Sequence, residues 1–333
     1  MTAVPETSVV VVNMNGKHFL AGCLESLMRQ SYTDFEVIMV DNGSVDGSAN
    51  YVREKYPVVK VIALEKNIGF GSGNNMGINA SQAKYVALLN NDTQVDRSWL
   101  QELVRGIETD TKIAMCASKM VFADNPSIID SAGDELFGFG QTFTYRFYPA
   151  NHSSINTPRL CFYACAGAAL YRRSILEETG LFDDIYTPAY YEDCDLGFRA
   201  QMLGYECLYV PTAHVAHKVS GTIIRNSRQY TYYYQRNVEF MMIINYPASL
   251  YLLFLPVHIL YQIGCFFVCL HRGSALSFIK GKLDFFRSLD VALERRSCRR
   301  KLRKTSTASL RAKFKRGWFA YKIAQYFQGQ FRG

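Results

Sequence analysis

Residues Tyr85–Thr93, YVALLNNDT, constrain the fold more than any other stretch. An apolar run through Val86, Ala87, Leu88 and Leu89 passes directly into Asn90, Asn91 and Asp92. A strand without polar alternation belongs inside a mostly parallel sheet covered on both faces. In open sheets of that kind ligands gather beyond the carboxyl ends of the strands, so Asp92 lies where a hard cation and a phosphate can meet. Asn91-Asp92-Thr93 would equally serve as a turn capping the next helix, and the surrounding chain decides between the two.

That chain supplies the rest of such a sheet. Ser8–Asn13, Phe35–Val40 and Val58–Leu64 read as three further strands. Leu20, Cys23, Leu24 and Leu27 recur at helical spacing within Lys17–Gln30, and Asp46 or Ser48 can cap a helix that reaches Tyr56. Strands separated by helices of this length form βαβ units, hence a Rossmann-like α/β sheet. Between the third and fourth strands lies NIGFGSGNNMG, residues 67–77. Its glycines admit a ligand close to the backbone, and the helix that follows offers N–H groups to phosphate. The spacing is neither GxGxxG after the first strand nor GxxxxGK[ST], which weakens dinucleotide and P-loop readings.

A second polar centre is YYEDCDL, residues 190–196, opening a helix through Phe198, Met202 and Leu203. Glu192, Asp193 and Asp195 repel one another and raise each other's pKa when desolvated. Acids at a helix start are also stabilised by the macrodipole, so the cluster alone has two explanations. In the aromatic run YTYYYQRN, residues 230–237, stacked tyrosines such as Tyr234 could hold a sugar and Arg236 could clamp a phosphate. The same run fits one face of an amphipathic helix.

Taken in order, VVVVNMNG, VDNGSVDGS, NIGFGSGNNMGI, LLNNDT, GAALYRRS and YYEDCDLGFR resemble a family 2 glycosyltransferase of the GT-A type, over roughly residues 8 to 240. Within that family the chain is most similar to the rhamnosyltransferase-like branch. The resemblance implies a nucleotide-sugar donor, with dTDP-rhamnose favoured and UDP-hexoses next. It implies that Asp41 binds the base or ribose, and that Asn13, Asn67, Gly71, Asn74, Asn90 and Asn91 line the donor pocket. Asp92 would be the metal-binding member of a DxD element in which the uncharged Asn90 replaces the first Asp. His217 would complete a Mg²⁺ or Mn²⁺ site, which neutral imidazole permits, whereas His214 reads as structural. Asp193 would be the general base and Glu192 would orient the acceptor, giving a single inverting displacement. No QxxRW surrounds Trp99 or Trp318, which disfavours a processive synthase. A non-catalytic sugar-nucleotide-binding or scaffold protein is the alternative, because of Asn90.

The last third differs in character. Tyr251–Leu270 is twenty residues without a formal charge, long enough for one span but interrupted by Pro256, His258, Gln262 and Gly264. Leu276, Ile279, Leu283, Phe286 and Leu293 then recur at helical spacing among basic residues, an interfacial pattern. From Arg272 onward lie 17 of the 37 Lys and Arg but 3 of the 29 Asp and Glu, a net +14 in a chain of net +8, so the basicity reads as belonging to a tail and not to the folded body. Eleven of these basic residues fall within 295–316, without an acid. The sequence therefore divides into a GT-A domain over 1–245 and a hydrophobic, basic helical region over 246–333. An anionic membrane at its cytoplasmic face and a lipid-linked or glycan acceptor are the expected partners, with homo-oligomers possible. Nucleic acid is disfavoured because the remaining body is acidic. On this division a chain cut after Asn245 would keep its site. MTAVPETSVVVV lacks the basic start and cleavage site of a signal peptide, and nine cysteines without a CxxC pair read as reduced thiols. Cys161 and Cys165 would share a strand, and Cys265 and Cys269 a helix. The segment Asp124–Pro158 would cover the acceptor side.

Overall fold

The computed structural model describes residues 4–219 and 227–318. The first apolar runs become β1 (Thr7–Asn13), β2 (Phe35–Asp41), β3 (Lys60–Ala63) and β4 (Tyr85–Asn90), crossed by α1 (Lys17–Met28), α2 (Ser48–Lys55) and α3 (Phe70–Ala80). Of the two expected caps Asp46 does the work: it accepts the Ser48 N–H at 3.0 Å and the Lys17 N–H at 2.9 Å, joining the starts of α2 and α1. There follow β5 (Thr93–Val95), α4 (Trp99–Glu108), β6 (Ile113–Phe122), β7 (Asn125–Ala132), β8 (Glu135–Leu136), β9 (Thr142–Phe143), β10 (Arg159–Cys161) and β11 (Ala168–Arg172). The α/β half closes with α5 (Arg173–Thr179), α6 (Glu192–Leu203) and β12 (Glu206–His217).

Ten of these strands form one sheet in the order β10-β12-β6-β11-β4-β1-β2-β3, with β5 paired to β12 and β7 to β6, while β8 and β9 pair as a separate two-stranded sheet. The β4-β1-β2-β3 half is parallel, as the apolar runs require. The other half is mixed, because β11 runs antiparallel to both β4 and β6. Register places Asn13 beside Asp41 and Val12 beside Asn90, so the polar ends of three strands form one row. Two apolar clusters cover the sheet, one on each face, and every residue from Tyr85 to Leu89 is buried.

The C-terminal part is α7 (Arg228–Asn245), α8 (Ala248–His271), α9 (Ala275–Arg287), α10 (Leu289–Leu302) and α11 (Thr307–Lys313). The helix α8 runs unbroken through Pro256. The expected division at 245/246 falls between α7 and α8, but one apolar cluster crosses it. Phe198 and Met202 of α6 share that cluster with Met241, Leu250, Phe285, Leu310 and Phe314. Fully burying a large apolar side chain contributes roughly 1.5–3 kcal/mol. Leu250, Phe285, Leu310 and Phe314 together therefore tie the C-terminal helices to the α/β half firmly, and a cut after Asn245 would expose their partners.

The basic stretch is correspondingly no detached tail. Arg295 and Arg299 pair with Asp183, Lys304 with Glu178 and Lys313 with Glu206, while Arg296 donates to the Ile243 carbonyl. None of the nine cysteines is in a disulfide. Cys165 has left the strand that ends at Cys161, and Cys265 and Cys269 lie on α8.

Candidate active site

The carboxyl ends of β1, β2 and β4 carry a network of short polar side chains. Asn13 Nδ2 donates to Asp41 Oδ1 at 3.0 Å, and Asn91 Nδ2 donates to Asn13 Oδ1 at 2.6 Å. Ser44 Oγ donates to Asp41 and accepts from Asn13 and the Asn15 N–H. A Cβ on Gly16 would stand 2.1 Å from Asn91 Nδ2, so only glycine allows α1 to begin this close to the pair. The Asn90 backbone is fixed on both sides, its N–H donating to the Gly167 carbonyl at 2.9 Å and its carbonyl accepting from Thr93 Oγ1 at 2.6 Å.

Residues of the Gly-rich stretch divide. Asn67 Oδ1 accepts from Asn42 Nδ2 at 3.0 Å and from the Gly69 N–H at 2.8 Å, so its carboxamide shapes the loop. Asn74 is buried and returns its amide to the Phe70 carbonyl. The start of α3 is not open to phosphate at its first residue: the Phe70 N–H donates to the Pro188 carbonyl at 2.9 Å. The segment ahead of α6 thus covers the end that the sequence left exposed. Gly71 lies at this junction, where a Cβ would meet Phe182 Cβ at 3.1 Å and Glu192 Cβ at 3.8 Å.

Pairing of β12 with β5 sets His217 opposite Thr93, one residue from Asp92. His217 Nε2 lies 3.2 Å from Asp92 Oδ1, and its Nδ1 lies 2.7 Å from Asp130 Oδ2 on β7. Burial disfavours a charged ring, yet the hydrogen bonds to Asp130 and Asp92 outweigh it and push the imidazole up to about 9. The position between the carboxylates therefore favours positive charge. One carboxylate and one imidazole facing each other, the latter oriented by a second carboxylate, suit a divalent cation that takes its other ligands from water and phosphate. Among the described residues no cluster of three or more His, Cys, Asp or Glu forms a closed metal cage. His214 stands apart beside Asp96, 4.0 Å away on the surface.

Glu192 and Asp193 open α6 directly after two strained residues. Tyr190 and Tyr191 adopt φ of +79° and +74°, a conformation that costs on the order of 1–3 kcal/mol each and persists only when its surroundings impose it. Asn237, fully buried on α7, supplies that constraint by donating to the carbonyls of Tyr186, Ala189 and Tyr190 at 3.1, 3.0 and 2.8 Å. Tyr191 Oη donates to the Gly140 carbonyl at 3.0 Å. The backbone N–H groups of Cys194 and Ala166 hold the Asp193 carboxylate, while burial pushes it up to about 6. Ala166 adjoins Gly167, which is bonded to Asn90, so the Asp193 carboxylate is fastened beside the end of β4. Burial and then the charge of Asp193 drive Glu192 well above the carboxylate range, and its Oε2 is buried without a hydrogen-bond partner.

Two expectations on α7 resolve differently. Arg236 donates to the Thr187 carbonyl at 2.6 Å and to Asn237 Oδ1 at 2.9 Å, so its guanidinium braces the segment before α6 rather than a phosphate. Tyr234 stacks on Tyr230 at 5.3 Å, tilts against Tyr191 at 5.0 Å and accepts from Gln141 Nε2 at 2.8 Å. Asn42, Asp130 and Asn237 carry no role assigned from the sequence. Asn42 directly follows Asp41 at the end of β2, whereas Asp130 and Asn237 acquire meaning only through β6–β7 pairing and α7 packing.

A model of glycosyl transferase family 2 matches residues 8–180. The putative glycosyltransferase EpsH of Bacillus subtilis (strain 168) is 27% identical over 213 residues, covering 62% of this chain and 59% of that protein. Polypeptide N-acetylgalactosaminyltransferase 13 of Homo sapiens is 26% identical over 251 residues, covering 68% of this chain and 43% of that protein. The chain thus spans less than two thirds of the length of these relatives. Among solved structures, GalNAc-T7 with UDP, GalNAc and Mn²⁺ superposes with a TM-score of 0.58 at 19% identity, over 72% of this chain and 48% of that one. The mannosyltransferase PcManGT from Pyrobaculum calidifontis, in complex with GDP-Man and Mn²⁺, gives 0.55 at 15% identity over 93% of this chain and 86% of that one. At such identities the likeness establishes the fold, which is GT-A. With more than half of its 333 residues matched, the chain belongs to glycosyl transferase family 2.

Proposed function

We propose that the protein is an inverting, metal-dependent glycosyltransferase that moves one sugar from a nucleotide donor to a lipid-linked or cell-surface glycan. The observation that carries this reading is the convergence of Asp92 and Asp193 on the end of β4, the first paired with His217 and the second fastened through Ala166 beside Asn90. PcManGT and GalNAc-T7, which share the fold, hold Mn²⁺ with a nucleotide or nucleotide sugar.

Asp41 and Asn13 would take the nucleoside, with Asn67 and Asn74 supporting the loop around it and Gly71, Asn90 and Asn91 bordering the sugar. Asp92 and His217 would hold Mg²⁺ or Mn²⁺, which when bound supplies charge neutralisation for the departing diphosphate. Asp193 removes the proton of the acceptor hydroxyl as that oxygen bonds the anomeric carbon from the face opposite the leaving diphosphate, so the anomeric configuration inverts. Glu192, held protonated, keeps a second negative charge away from the base and presents a donor to the acceptor. Tyr234 and its stacked neighbours would flank the acceptor. The donor favoured by the motif pattern is dTDP-rhamnose, then UDP-hexoses.

The protein would act at the cytoplasmic face of a membrane. Leu252, Leu260 and Phe267 on α8 and Leu276, Ile279 and Phe286 on α9 are exposed, Leu260 by 69% and Leu276 by 83%. The opposite flank of α8 is held by the catalytic body: His258 pairs with Glu239 of α7 at 3.0 Å and with the Phe139 carbonyl at 2.8 Å. A spanning α8 would draw α7 into hydrocarbon, so α8 and α9 lie in one leaflet as a monotopic hairpin.

The test is hydrolysis of dTDP-rhamnose, UDP-glucose, UDP-N-acetylglucosamine and GDP-mannose by purified full-length protein with Mn²⁺, with and without EDTA. EDTA-sensitive release of nucleoside diphosphate from one donor is expected. Thermal stabilisation by a donor without turnover under any metal would instead favour a non-catalytic binder, the reading that Asn90 keeps open.

A further inference from the structure

Asp193 and Asp195 are two residues apart on α6, so about 200° around the helix axis separates their side chains. Asp193 is fastened beside β4, whereas Asp195 points into the protein and is 0% exposed. There Asp195 accepts from Tyr186 Oη at 3.0 Å, Asn245 Nδ2 at 2.7 Å and Arg199 Nη2 at 2.6 Å. Arg299 of α10 approaches it at 3.4 Å through Nη1 and bonds Asp183 through Nη2. Arg299 is itself 8% exposed. One guanidinium from the C-terminal helices therefore joins the residue just beyond the base to the start of the segment that leads into it.

We propose that Arg299 is a positioning residue for Asp193: bridging Asp183 and Asp195, it fixes the rotation of the first turn of α6 and hence the direction of the Asp193 carboxylate. The proposal rests on Asp193 being the base. It makes the C-terminal helices part of the catalytic apparatus as well as an attachment.

Two physical circumstances demand such a brace. Strain at Tyr190 and Tyr191 gives the turn a reason to relax, and Asn237 restrains only its carbonyls on the α7 side. Electrostatically, Asp193 is faced by Glu192 and Cys194 of α6, by Asp134 of the β7–β8 turn, and by Tyr163, Cys165 and Tyr171 from β11 and the segment before it. Each of these is acidic or neutral. Burial raises Asp195, but Arg199 and Arg299 more than offset it and hold its carboxyl low, so their charges answer the acids from behind α6. A lysine at 299 keeps the charge but lacks the fork that reaches two carboxylates.

The experiment uses full-length protein in detergent with Mn²⁺, following hydrolysis of whichever of the four donors above turns over, across about pH 5 to 9. Arg299→Met is expected to lose at least about tenfold in kcat with donor KM within about threefold, and to move the acid limb upward by roughly one pH unit. Arg299→Lys should restore the limb but not kcat. Hydrogen exchange, which needs no donor, should quicken in residues 190–195 of Arg299→Met and stay unchanged in α3. Wild-type kcat and limb in Arg299→Met overturn the proposal. So does a proportional loss of activity and UDP–Mn²⁺ affinity with an unmoved limb and exchange raised throughout the fold. If Arg299→Met does not fold, Arg299→Lys decides: wild-type kcat overturns the proposal, and lowered kcat with intact UDP–Mn²⁺ affinity supports it. Asp193→Asn is run in parallel. Retained activity there removes the base assignment and this proposal together, whereas an inactive Asp193→Asn beside a normal Arg299→Met removes this proposal alone.

Discussion

Asp92 Oδ1 stands 3.2 Å from His217 Nε2, although one residue lies in the turn between β4 and β5 and the other ends β12. The β5–β12 pairing makes that contact, and Asp130 sets the ring from its far side at 2.7 Å. If the pair holds the cation, Asp92→Asn abolishes EDTA-sensitive hydrolysis and removes the Mn²⁺ dependence of UDP binding. Asp130→Asn touches no ligand position yet loosens the ring, and a partner of this kind is worth about 10–100-fold in metal affinity. Calorimetric titration of Mn²⁺ into each variant with UDP measures both. Unchanged Mn²⁺ affinity in Asp92→Asn would sink the assignment.

The Asp193 carboxyl, raised by burial to about 6, makes a pH prediction with a definite sign. If Asp193 is the base as proposed, its ionised form is the active one, so activity is full above that value and falls as pH drops through it. Asp193→Asn should lose about 10²–10⁴ in kcat and keep donor affinity. A dead Glu192→Gln beside a near-normal Asp193→Asn would exchange the two roles. Steady-state kinetics across the acid limb decide.

Gly16 offers a test of the donor end that leaves the carboxylates alone. Its φ of −110° suits any residue, so Gly16→Ala strains no backbone. Its methyl would nonetheless strike Asn91 Nδ2 and Asn13 Oδ1, at 2.1 and 2.8 Å. Parting that pair should displace the Asp41–Asn13 network by a fraction of an ångström. Misplacement on that scale can cost up to about 100-fold, and donor Kd, measured by UDP titration, should rise while the melting temperature moves little. Wild-type donor affinity would mean that the network does not face the nucleotide.

How much of this was legible in the sequence depends on how far apart the partners lie. The parallel half of the sheet followed from unbroken apolar runs, and because parallel strands end together, Asn13, Asp41 and Asn90 had to meet. Asp193 beside β4 came only from resemblance to a family, since no periodicity brings residue 193 to residue 90. Asp130, Asn237 and Arg299 carried no local signal, being ordinary polar residues on β7, α7 and α10 until nonlocal packing paired them. Two inferences failed for the same reason. The start of α3 looked open because Pro188 lies far along the chain. The basic stretch looked detached because its acids, Asp183, Glu178 and Glu206, precede it by about a hundred residues. Net charge counts residues and says nothing of where their partners fold.

For the proposed membrane attachment, magnitudes choose between two causes. Of the eleven basic residues in 295–316, Arg300, Lys301, Arg303, Arg311 and Arg316 are exposed and outside the ion pairs that fasten α10 and α11 to the body. At about 1 kcal/mol each near an anionic surface, they contribute roughly 5 kcal/mol at most, and salt screens them. Six exposed side chains, Leu252, Leu260, Phe267, Leu276, Ile279 and Phe286, gain on the order of 1.5–3 kcal/mol each if buried in lipid. The apolar face therefore dominates. About 1 M salt should leave the full-length protein on vesicles, whereas Leu260→Glu with Leu276→Glu should release it without loss of donor hydrolysis. Because Phe198 and Met202 share their core with Leu250, Leu310 and Phe314, a chain cut after Asn245 should aggregate rather than yield soluble enzyme. Topology separates a hairpin in one leaflet from a span. If the proposed placement holds, an epitope inserted between Arg272 and Gly273 should be reached by antibody only from the side on which the donor is hydrolysed. Detection from the opposite side would show that α8 crosses the bilayer, and the pairing of His258 with Glu239 would then have to be given up.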